Sequence, residues 1–143
     1  MARVEARDLA LSNARGRMAI GAALVLAPRL AGPMWIGRDA DSRAVKVLAR
    51  GLGARDVALG LGTAVALDHG APVRGWLEGA ALADGVDLVS TLLAADSIPA
   101  GKRHAVALIA AASLVACAVL ARMVDEPPVA DVHAPEAELT GHH

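Results

Sequence analysis

Hydrophobic and polar positions along this chain alternate in long blocks. Apolar runs cover Met18–Ala27, Ala44–Leu67, Gly75–Ala95 and Ala105–Ala121, separated by short links rich in Gly, Pro and charge. Inside the second run, Gly53, Asp56, Gly60, Thr63 and Leu67 recur at three- and four-residue steps and share one helical face. Ala80, Asp84, Asp87 and Thr91 do the same in the third. Small and polar residues line one face and Leu and Val the other, which inverts the pattern of a soluble amphipathic helix. A helix packed in lipid with its polar stripe turned inward has this pattern. The blocks predict four helices near 10–31, 44–67, 75–95 and 104–123, an all-α, four-helix transmembrane bundle built of antiparallel hairpins. The rival reading is a soluble bundle of unusually apolar helices.

The links support these boundaries. Ala31–Arg43 holds Gly, Pro and clustered charge, with Asp41 or Ser42 placed to cap the next helix. Trp35 and Trp76 both stand at run ends, where an indole can keep its ring in lipid and its N–H in water, so both are candidate interface anchors. Residues 1–14 read as an interfacial or helical lead-in, 15–123 as the membrane domain, and 124–143, acidic and Pro-rich, as a disordered tail. Arg15 and Arg17 ahead of the first run also fit a cleaved signal. However, no clean small-x-small site follows, and three further apolar segments favour a first membrane helix.

Composition sharpens this picture. Hydrophobic residues make up 55% of the 143, mean hydropathy is +0.46, and Phe and Tyr are absent. A soluble core of this size normally draws on aromatics, whereas Ala and Gly at high density let helix backbones approach closely in a bilayer. Net charge is −1, which gives no field for nucleic acid. The expected partner is the lipid bilayer of the cell membrane, crossed several times, with room for a homo-oligomer or larger complex. Basic residues are evenly matched on the two sides, so the positive-inside rule sets no orientation, and cytoplasmic termini are the working assumption.

The charges inside the runs are the candidate site. One unpaired Arg or Asp at mid-bilayer costs about 2.5–3.5 kcal/mol, so Arg50, Arg55 and Asp56 unpaired in one span would cost on the order of 8–10 kcal/mol. Pairing with the third helix removes the penalty. At 1.5 Å rise per residue, Arg55 lies roughly 18 Å from the Leu67 end, and Asp87 roughly 18 Å from the Gly75 end of its antiparallel partner. The two are level, with Asp56 between Asp84 and Asp87. The expected inner cluster is therefore Arg50, Arg55, Asp56, Asp84 and Asp87, with Glu78 nearer the boundary. Arg50 stands higher and can instead snorkel.

Catalytic signatures are missing. Gly51-Leu52-Gly53-Ala54-Arg55-Asp56 opens like a dinucleotide loop, but it lacks the last glycine and a preceding strand. The five histidines (His69, His104, His133, His142, His143) fall in links or the tail, so neither a metal site nor a cofactor is expected. Cys117, with Ser113 four residues before it among Ala and Val, reads as an inert buried thiol.

The segments ARGLGARDVALGLGT (Ala49–Thr63), WLEGAALADGVDLVSTLLA (Trp76–Ala94) and LAPRLAGPMWIGRDA (Leu26–Ala40) resemble an uncharacterised family of small four-helix integral membrane proteins of actinobacteria. The likeness covers about residues 15–123. Its most distinctive elements are R-x-x-G-x-R-D and D-x-x-D, standing here as Arg50, Gly53, Arg55 and Asp56, and as Asp84 and Asp87. That family has no established activity, so the resemblance implies a fold and no function. Three function classes stay open: a non-catalytic accessory or structural membrane protein, a small proton-coupled transporter or channel, and an intramembrane enzyme using a carboxylic acid on a lipophilic substrate. An apolar cavity opening onto the carboxylates would favour the third, and a filled core would count against it.

Overall fold

The computed structural model describes residues 2–30, 42–94 and 100–124, and these are helical almost throughout. Four long helices run Ala2–Leu26 (α1), Arg43–Asp68 (α2), Arg74–Leu93 (α3) and Ala100–Val124 (α4), with a further helical turn at 28–30. The stretch holding Trp35 and the C-terminal tail lie outside the described residues. The chain is all-α, as its periodicity predicts. Among the described residues one helix, α4 over Gly101–Val124, is long and apolar enough by itself to cross a membrane.

The helix ends follow local chemistry. Ser42 caps α2, its Oγ accepting from Val45 N–H at 3.2 Å. The end of α2 is closed by Gly70 at φ 64°, with Ala71 N–H donating to Ala66 O at 2.8 Å and Gly70 N–H to Leu67 O at 3.3 Å. This bond pair needs a left-handed residue, which glycine adopts without a Cβ penalty, and Pro72 prevents the helix from resuming at once. The α1 helix stops at Leu26 rather than near 31, because Pro28 has no N–H to continue the ladder.

Each helix packs antiparallel against two neighbours, in the cyclic order α1, α2, α3, α4. The α1–α2 and α3–α4 contacts are the extensive ones. Glycines bring α1 and α2 together: a Cβ on Gly53 would lie 2.5 Å from Gly21 O, one on Gly21 2.5 Å from Gly53 O, and one on Gly60 2.6 Å from Ala14 O. The backbones therefore touch, as small residues permit. Across α2–α3 the ring of Trp76 lies against Gly62, so Gly60 and Gly62 both serve close packing.

The lead-in is helical, and residues 2–14 form the first half of α1. Ala6 and Ala10 are fully buried against Val73, Leu120 and Val124. That shift carries Arg17 from the edge of the first apolar run to well inside a helix. On α3 the polarity is inverted relative to a water-soluble core, since Asp84 is 6% exposed and Leu82 71%. The buried hydroxyls of Thr63 and Thr91 are satisfied within their own helices, donating to Leu59 O at 2.8 Å and Asp87 O at 2.7 Å.

A methyl group added at the α1–α2 contact should separate the backbones. Gly53→Ala is expected to lose about 1–3 kcal/mol by overpacking, whereas Gly51→Ala, where a Cβ meets open space, should gain about 0.5–1 kcal/mol of helix propensity. Thermal unfolding followed by a thiol-reactive dye on buried Cys117 measures both. Equal stability of the two variants would contradict the close approach.

Candidate functional site

One guanidinium joins all four helices. Arg17 on α1 is 8% exposed. Its Nη1 donates to Asp56 Oδ1 of α2 at 2.9 Å, and its Nη2 donates to Asp84 Oδ2 of α3 and, at 3.2 Å, to Ser113 Oγ of α4. Ser113 in turn donates to Asp84 Oδ2 at 2.7 Å. The site stands at mid-height of the helices. Asp56 is roughly 18 Å from either end of α2 at 1.5 Å rise per residue, and Asp84 and Ser113 sit near the centres of α3 and α4.

A second guanidinium extends the network. Arg55 clamps Asp87 through Nη1–Oδ1 at 3.2 Å and Nη2–Oδ2 at 2.8 Å, the planar fork that arginine makes with a carboxylate. It also donates to Asp56 Oδ1 from Nε at 3.3 Å and Nη2 at 3.1 Å, so one carboxylate oxygen is shared by both arginines. Arg55 and Asp87 are level, as the antiparallel depth argument requires.

Four of the five residues expected in the inner cluster therefore meet: Arg55, Asp56, Asp84 and Asp87. Arg50 does not. It is exposed on α2, one turn above Arg55 and on a different face. Asp84 pairs with Arg17, a residue the sequence had placed in the basic flank of the first run. The signal that marks it is the face it shares with Ala6, Ala10, Ala14, Gly21 and Leu24, all buried at helical spacing. Glu78 pairs with Arg74 at 2.6 Å on the exposed surface of α3. Trp76 is half-exposed near the start of that helix, and Trp35 lies outside the described residues. Arg7 was also missed: its Nη2 donates to Leu67 O at 2.9 Å and satisfies the C-terminal end of α2. Cys117 is fully buried, its Sγ 3.6 Å from Asn13 Oδ1.

A cleft of about 260 Å³ between α1 and α4 opens onto this network. Gly16 and Ile20 of α1 and Val106, Ile109 and Ala110 of α4 form its walls, with Arg17, Asp56, Asp84, Asp87 and Ser113 at its polar end. Gly16 and Ala110 leave the space. Among the described residues the one buried side-chain polar atom without a hydrogen bond is Arg17 Nε. No three or more His, Cys, Asp or Glu among them are grouped to hold a metal ion. No family model, curated protein or solved structure matches the chain.

The three arginines should rank by burial. Arg17→Met leaves the buried Asp84 without its cationic partner and is expected to cost about 3–5 kcal/mol, with much of it recovered by adding Asp84→Leu. Arg55→Met, partly solvated, should cost about 1–3 kcal/mol, and Arg50→Gln should stay within about 0.5 kcal/mol. Unfolding by SDS in mixed micelles gives the order, and an Arg50 effect as large as that of Arg17 would contradict it.

Proposed function

We propose that the chain is a small multi-pass protein of the cell membrane, its four helices crossing the bilayer as an antiparallel bundle around a polar site at mid-membrane, with a non-catalytic accessory or structural role. The observation that carries this reading is the inverted polarity. Arg17, Asp84, Thr63 and Thr91 are buried, while Leu48, Leu82, Leu92, Leu93, Leu108 and Val115 are more than half exposed. A soluble protein rarely leaves so many large apolar side chains in water, whereas lipid solvates them.

The helices α1, α2 and α3 fall short of a spanning segment by composition because they carry Arg15 and Arg17, Arg50, Arg55 and Asp56, and Glu78, Asp84 and Asp87. Hydropathy charges each of these as if it met lipid alone. Most of them meet each other, and Arg50, exposed on α2, is left to reach the nearer interface by snorkelling. The cleft, mainly apolar and opening onto the carboxylates, favours a second reading, in which a lipophilic molecule is bound there or acted on by a carboxylic acid, because a mere clamp between helices has no need of an opening.

Two measurements test the membrane reading. The protein should stay with the lipid after alkaline carbonate washing. In a Cys117→Ser background, single cysteines at His69 and Gly101 should be labelled by an impermeant maleimide from opposite sides of the membrane. Release by carbonate, or labelling of both from one side, would overturn it.

A further inference from the structure

The network does not balance. Arg17 and Arg55 carry two positive charges, and Asp56, Asp84 and Asp87 carry three negative ones, a sum of −1 at a largely buried site. Burying an uncompensated charge is costly in any low-dielectric setting, so a ligand or proton that restores neutrality is favoured. The carboxylates also have unused capacity. Asp56 and Asp84 each accept through one oxygen, and Asp56 Oδ2 and Asp84 Oδ1 accept no hydrogen bond from any described residue. Both residues line the cleft, whose walls are otherwise mainly apolar.

We propose that the cleft between α1 and α4 binds the head of a lipophilic organic cation, a protonated amine carried on an alkyl body, entering from within the bilayer. The proposal rests on the membrane reading above. An ammonium group brings one positive charge and three donors, which suits a site with one surplus negative charge and free carboxylate oxygens. Its tail lies between Ile20, Val106 and Ile109, of which Ile20 is 43% and Ile109 51% exposed. The volume of about 260 Å³ accommodates a head group and the first carbons, with the rest of the chain passing out between the helices.

Other occupants fit less well. An anion would meet three carboxylates, and both arginines are already paired. A metal ion finds no grouped ligands, because guanidinium groups stand between the carboxylates.

The test uses the full chain in phosphatidylcholine nanodiscs with a dodecylamine carrying a diazirine on its chain, beside the matching alcohol and sulfate. The amine should label the segments around Ile20 and Ile109, saturably and about ten-fold more than the alcohol or sulfate, as loss of a charge-assisted contact implies. Gly16→Leu, placed where a Cβ meets nothing within 4 Å, should fill the cleft with the network intact and reduce labelling about ten-fold. Asp84→Asn, which removes the surplus charge, should do the same. Equal labelling by the three probes, or amine labelling unchanged by Gly16→Leu, would overturn the proposal. Either result leaves the membrane reading standing as long as the protein resists carbonate extraction.

Discussion

The structure depends on one buried guanidinium shared among four helices. Arg17 leaves α1 at mid-height and reaches a carboxylate on α2, a carboxylate on α3 and a hydroxyl on α4. Helices of Ala, Gly, Leu and Val slide and rotate against one another with little penalty, since many registers bury similar surface. A single polar contact at a fixed height on each helix removes that freedom, because any other register strands a charge. The resulting arrangement is held more by what misalignment would cost than by the strength of the ion pairs themselves.

Small residues make the contact geometrically attainable. Gly21, Gly53 and Gly60 let α1 and α2 meet backbone to backbone, which brings Arg17 within reach of Asp56. On the other side Ala80, Ala81 and Cys117 let α3 and α4 close over Ser113 and Asp84. Contact between α1 and α4 is less extensive, and with the small residues Gly16 and Ala110 lining it the cleft remains. Close packing and the opening thus have the same origin: small side chains join two helices where backbones meet and leave space where they do not.

The central hairpin was legible in the sequence because its charges lie inside long apolar runs and its helix ends are punctuated. Counting residues from those ends set Arg55 level with Asp87, and the structure pairs them. The same method misplaced Arg17. The first apolar run starts only at Met18, so Arg17 read as a flank, whereas the helix begins at Ala2, roughly 22 Å earlier at 1.5 Å per residue. Arg3, Glu5, Arg7 and Asp8, interleaved with it, hid the alanine face that runs along α1. Arg50 was drawn into the cluster by proximity in sequence to Arg55, although a step of five residues turns it to another face. The cleft was beyond reach, since it depends on which two neighbours pack less tightly.

The central claim is most directly tested by solid-state NMR on the protein in lipid bilayers, with the arginine guanidinium nitrogens labelled in ¹⁵N and the aspartate carboxyls in ¹³C. The account predicts dipolar couplings from the Arg17 Nη atoms to the carboxyl carbons of both Asp56 and Asp84, and slow exchange of its guanidinium protons with water. A rapidly exchanging Arg17 with no coupling to either carboxylate would contradict it.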